Sequence, residues 1–329
     1  MSLILGVHLV KKLFLVSDTR ATIEYKDGRK EFKDDLIKLF NINRRITALE
    51  AGNASPAAFI LKKLREEVGE DGSLADIREI INTKLNMIIS EYVNNTGHYG
   101  YVALIIAGYN PTKTKKIESS ALGNAMSAEL RAKGDGSSMM QTIDSDIKNS
   151  LAKAVMRGGL QKGDLIEIEN TIDSGMISVK IDIRNNRFNL EQVDCYKGVV
   201  FHPNQSFIEI NLPPELVSQV EFGYRKSTNW QDILYEDSEK LISFVNKEIK
   251  KHNFKTVGGN IFIGLATPND YFVFPTGDMA TVRNGKIVMT GSVFVDKTGN
   301  ISYRLEDGKT GKYRFIKDLD ESELSLLSL

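Results

Sequence analysis

A single cysteine, Cys195, in 329 residues rules out an internal disulfide and points to a reducing, cytoplasmic setting. There is no charge excess either. Lys and Arg total 43, as do Asp and Glu, so electrostatics gives no case for nucleic acid or an anionic membrane as partner. No apolar run approaches the ~20 residues of a membrane span. No basic stretch precedes the apolar run Leu3–Val10, as a secretory signal would require. His8, His98, His202 and His252 show no pairing at metal-ligand spacing, so neither a metal nor another cofactor is expected. Gly134–Gly136 lacks the lysine and glycine spacing of a phosphate loop. Repeats and low-complexity segments are absent. A chain this long can bury a full core, and one domain with additions or two domains are expected.

What is present is concentrated in the first forty residues. Two short apolar runs, Leu3–Val10 and Leu13–Val16, flank Lys11-Lys12 and predict a β-hairpin in a buried sheet. The first strand starts so early that residue 2 sits at a sheet end. That residue is Ser2, small enough for Met1 to be removed before it, which would leave an α-amine and a hydroxyl on one residue. An α-amine titrates near pH 7.7–8.0 and serves as a general base. Paired with a hydroxyl it makes an activated nucleophile.

Counted from Ser2, the segment Ser17-Asp18-Thr19-Arg20-Ala21-Thr22, and then Lys38-Leu39-Phe40, resemble a proteasome β subunit, an N-terminal-nucleophile (Ntn) hydrolase. Asp18, Arg20 and Thr22 fall at that family's spacing without a gap. Lys38 follows after a loop lengthened by a few residues. The resemblance implies an α+β fold, a four-layer αββα sandwich, acting on peptide or amide bonds. It implies Ser2 as nucleophile and base, Lys38 to lower the pKa of the amine and stabilise developing alkoxide, and Asp18 as the counter-ion of Lys38. It also implies that Arg20, Ala21 and Thr22 lie where extended substrate adds as a strand. Gly52 is the nearest glycine for the oxyanion amide, with Leu49 or Glu50 as alternatives. In the family's Gly-Ser-Gly turn this chain has Gly134-Asp135-Gly136, placing Asp135 beside the amine.

Further along, helices are expected over Ala57–Val68, with Ser55-Pro56 as its start, and over Ser73–Val93, with Ser73 as cap. A strand at Val102–Ala107 and a third helix from Ser138 to Met156 carry the resemblance to about residue 155. After Gly158-Gly159 the chain departs from the family. Residues 158–228 read as a β-rich inserted module standing apart from the catalytic sandwich. The core then resumes over 229–282 with a helix at Asp232–His252 and a strand at Ile261–Ala266. Residues 283–329 form a β-rich C-terminal extension, with turns at Asn284-Gly285 and Asp296–Asn300 and a short helix at Glu321–Leu327. Together, 1–157 and 229–282 make the core.

The expected partners are a peptide or protein substrate and further copies of the chain, since proteasome-like sandwiches form rings. Two alternatives stay open. One is a peptide ligase resembling the connectases, with the same nucleophile; the other is a non-catalytic ring subunit.

Overall fold

The computed structural model describes residues 3–10, 12–25, 27–110, 114–118, 165–169, 173–202, 206–222, 230–251, 259–266, 272–273, 277–283, 286–295, 301–305, 308–315 and 319–328. The expected third helix over 138–156 lies outside them, as do Ser2 and Asp135.

In chain order, β1 (Ile4–His8) and β2 (Leu13–Asp18) form the predicted hairpin. β3 (Ala21–Glu24) and β4 (Lys30–Lys33) form a second. β5 (Leu36–Ile37), β6 (Leu39–Asn41) and β7 (Ile46–Gly52) lead into α1 (Ala54–Val68) and α2 (Leu74–Thr96). β8 (Tyr101–Asn110) returns through the core. Among the described residues β9 (Thr114–Glu118) pairs with β10 (Leu165–Glu169) alone. Then come β11 (Asp173–Asp182), β12 (Arg187–Val193), β13 (Lys197–His202) and β14 (Ser206–Asn211). A short α3 (Pro214–Val217) runs into a π-helical turn, and α4 spans Trp230–Lys251. The remainder is β15 (Gly259–Ala266), β16 (Phe272–Val273), β17 (Gly277–Arg283), β18 (Lys286–Val295), β19 (Ile301–Leu305), β20 (Thr310–Lys312), β21 (Arg314–Phe315), α5 (Glu321–Leu326) and β22 (Leu327–Ser328).

Among the described residues two large sheets form. One runs β14-β13-β1-β2-β15-β17-β18-β19-β20, with β16 on β15; the other runs β12-β11-β8-β7-β6. Alternation along β1 shows how they stack. Leu3, Leu5 and Val7 pack with Leu241, Phe244 and Val245 of α4. Ile4 faces the other way, toward Leu39, Leu49, Ile105 and Met176 of the second sheet. The far face of that sheet, including Leu104, Ile106 and Val179, packs under α1 and α2. Helix, sheet, sheet and helix therefore follow in order, the layering expected from the sequence. Gly6 makes the inter-sheet approach possible, because a Cβ there would overlap Met176 Sδ.

The helices obey their local signals with one exception. Ser73 caps α2 by a full capping box with Asp76, and the buried stripe Leu74, Ile77, Ile81, Leu85, Ile88, Ile89 and Tyr92 keeps helical spacing. Burying each of the larger side chains contributes roughly 1.5–3 kcal/mol. For α1 the start is Asn53, not Ser55, whose hydroxyl instead meets Tyr92 Oη at 3.0 Å.

The inserted module needs correction. β11 pairs with β8 along its whole length, and β12 extends that sheet from β11. β13 pairs with β1, and β14 extends from β13. Residues 173–211 thus supply two strands to each sheet of the sandwich and do not stand apart from it. Their apolar side chains explain why. Met176, Val193, Val199 and Phe201 fill the inter-sheet layer, while Ile177 and Ile181 face α1 and α2. Of the strands described within 158–228, β10 alone lies outside the two large sheets, paired with β9. At the other end, β17 to β20 widen the first sheet. Among the described residues no helix is long and apolar enough to cross a membrane.

Candidate active site

The register of the first hairpin brings the candidate residues together. Beyond the last β1–β2 pair, Ile4 with Ser17, the backbones of Leu3 and Asp18 meet. Asp18 N donates to Leu3 O at 3.2 Å, and Leu3 N donates to Asp18 Oδ1 at 3.1 Å. The side chain of Asp18 is therefore fixed one residue from position 2. The same oxygen accepts from Lys38 Nζ in an ion pair whose two side chains have no solvent exposure.

Lys38 arrives there between β5 and β6, where the strand is interrupted for one residue. Its backbone carbonyl accepts from Glu50 N of β7 at 3.1 Å. Burial pulls the Lys38 ammonium below the ordinary lysine value, and the attraction of Asp18 opposes the shift. An unpaired buried ammonium would cost several kcal/mol, so the carboxylate is what keeps Lys38 in place as a cation.

Glu50, weighed from the sequence only as an alternative for the oxyanion amide, proves to be the third ionisable group of this cluster. It is fully buried, and neither carboxyl oxygen has a hydrogen-bond partner. Burial pushes its pKa well above the ordinary glutamate value, against the pull of Lys38. A sequence signal existed: Glu50 interrupts the apolar run Ile46–Ala51 of a central strand, where charge is costly.

The expected substrate-binding residues lie on the strand leaving Asp18. Arg20 is held by Asp34 through two bonds of 2.7 and 2.8 Å and lies over the Phe32 ring, so its guanidinium braces the β3–β4 hairpin. Thr19 Oγ1 donates to Asp34 O at 2.7 Å in the same brace. Ala21 is buried, and Thr22 pairs with Phe32 on one side and with Ser328 of β22 on the other.

Gly52 closes β7 with φ of +102°, and a Cβ there would run into the Tyr101 carbonyl oxygen. Only glycine fits this corner. Among the described residues no group of three His, Cys, Asp or Glu side chains could hold a metal ion. What the arrangement offers is a buried cation and its counter-ion at the start of β1, with the Gly52 corner and the paired strand β3 nearby.

Residues 2–155 match the family model described as proteasome subunit. No curated protein matches the chain.

Proposed function

We propose that the protein is an Ntn hydrolase of peptide or amide bonds with Ser2 as nucleophile, in keeping with the match of residues 2–155 to the proteasome-subunit family model. The observation that supports this best is the sharing of Asp18 Oδ1 between the Leu3 amide and Lys38 Nζ. It links a buried ammonium to the backbone of Leu3, the residue that follows the proposed nucleophile.

In this reading removal of Met1 frees the Ser2 amine. The amine takes the hydroxyl proton as Oγ attacks the substrate carbonyl, and the carbonyl π electrons move to oxygen. The Lys38 charge favours the unprotonated amine and offsets the alkoxide charge that develops on Oγ. The Gly52 amide, at its fixed corner, is the proposed donor to the oxyanion. Collapse expels the amine leaving group, which takes the proton back, and leaves an ester on Ser2. Water, activated by the same amine, then hydrolyses the ester. Asp135 is proposed to hold the amine when it is protonated. Ala21 and Thr22 are proposed to pair with extended substrate, with Arg20 acting through the brace to Asp34. Copies of the chain are proposed to assemble through the α1–α2 layer.

Incubating the protein with two short peptides, one labelled at its N-terminus and one offering a free amine, tests the reaction type by mass spectrometry. Hydrolysis gives only truncated products. Ligated product would assign the same acyl-enzyme to a ligase, and no product from any peptide would favour a non-catalytic subunit.

A further inference from the structure

The edge of β3 that faces the candidate site is already occupied, and by the chain itself. β22 lies antiparallel to β3, with Leu327 opposite Ile23 and Ser328 opposite Thr22. On its other flank Leu327 lines a cavity with Asn53 and Ser55 at the start of α1. β22 therefore fills a slot between the strand leaving Asp18 and the corner that follows Gly52. Its direction also matters. β3 runs away from Asp18, so the antiparallel β22 runs toward Ala21 and, past it, toward Asp18 and Lys38.

We infer that this slot is the docking site for an extended peptide, and that the segment Leu319–Ser328 is a built-in occupant which a peptide must displace. The peptide role rests on the reading proposed above; the competition for the edge rests on the pairing alone. The occupant also indicates what the site accepts. Leu327 sits against Ala21, Ile23 and Leu36 in a small apolar cluster that Leu324 completes. A peptide docking in the same direction would place a branched apolar side chain there, opposite Ile23. Its backbone would take over the hydrogen bonds that β22 makes to the strand edge, which discriminate little between side chains.

The fastening of the segment suits an occupant that leaves. β22 is two residues long, well under a typical strand. Upstream, α5 is tied by Arg314 to Glu323 through two bonds of 2.8 Å, and by a capping box from Asp320. Arg314 and Glu323 are about two-fifths exposed. Pairs of that kind contribute little to stability. Because the segment is covalently attached, its effective concentration at the slot is roughly millimolar. A free peptide of similar intrinsic affinity would compete poorly until the fastening is weakened.

The test is fluorescence anisotropy with a labelled hexapeptide, Glu-Leu-Ser-Leu-Leu-Ser, which copies residues 323–328. It is titrated with full-length wild type, Leu327→Asp and Arg314→Ala. Leu327→Asp removes the internal anchor from the slot, and Arg314→Ala loosens α5 by removing its pair with Glu323 while leaving Leu327 in place. Both variants should bind the hexapeptide at least tenfold more tightly than wild type. A control hexapeptide with Asp at the fifth position should bind none of the three. If Leu327→Asp fails to fold, Arg314→Ala decides alone. Equal binding of the hexapeptide by the folded variants and wild type would overturn the inference, as would equal binding of the control. The readout needs no turnover, so a failed hydrolase assignment and a failed docking assignment remain distinguishable.

Discussion

Asp18 holds the backbone amide of Leu3 at 3.1 Å with the same carboxylate oxygen that accepts from buried Lys38. One side chain thus ties the start of the first strand to the buried ammonium of Lys38. The proposed catalysis depends on that link, because Leu3 is the neighbour in sequence of the proposed nucleophile.

Lys38→Ala should lower turnover by roughly 10²–10³-fold, the range for losing one group that stabilises developing charge, while circular dichroism stays native. Lys38→Arg should not restore it, since the planar guanidinium is larger and its charge cannot be tuned. Steady-state kinetics on a fluorogenic peptide measures both. Activity within tenfold of wild type in Lys38→Ala would remove Lys38 from the mechanism.

Asp18→Asn should act on stability as well as rate. It leaves Lys38 buried without its counter-ion, at a cost of about 3–5 kcal/mol. Part of that cost is avoidable by loss of the Lys38 proton. The variant should therefore recover stability as pH rises, and denaturant titrations at several pH values would show it.

Glu50 predicts a pH dependence of the opposite sign. Its folded-state pKa is raised above the ordinary value of 4.5. A group so shifted contributes stability that is fully present below its unfolded pKa and is lost as pH rises through its folded pKa. Wild-type stability should then decline with pH from about 4.5 upward through that contribution, with Lys38 the charged neighbour that limits the shift. Glu50→Gln cannot titrate, so its stability-versus-pH curve should be flatter over the same window. Identical slopes in chemical denaturation would show that Glu50 keeps its proton state on folding.

Gly52→Ala should destabilise the fold by roughly 1–3 kcal/mol, the usual cost of forcing an L residue into a sparsely populated backbone region. The clash with the Tyr101 carbonyl adds to it. Thermal melts would report the loss. Gly28→Ala is the comparison: its φ of +82° carries the backbone penalty, but a Cβ there meets nothing within 4 Å, so the smaller loss isolates the clash.

Much of this was legible from the sequence where local chemistry decides structure. The Leu3–Val16 hairpin and the Ser73 cap depend on near neighbours. The meeting of Asp18 with Lys38 was legible too, through spacing from Ser2. Three features were not, and each depends on long-range pairing. The β-rich character of 158–228 is legible in its sequence. Nothing local, however, tells a strand whether it joins an existing sheet or starts a new one, so 173–211 was assigned to a separate module. Glu50 was missed as an ionisable partner because its cross-strand position opposite Lys38 emerges only from the β6–β7 register. The return of Leu327–Ser328 to β3 spans about 300 residues of chain, a closure that no periodicity can announce.

The most direct measurement is intact mass of the expressed protein before and after treatment with a β-lactone probe. The account predicts a chain lacking Met1 that gains a single probe adduct, mapped by peptide sequencing to Ser2 and absent from Ser2→Ala. Retained Met1, or an adduct that persists in folded Ser2→Ala, would contradict it.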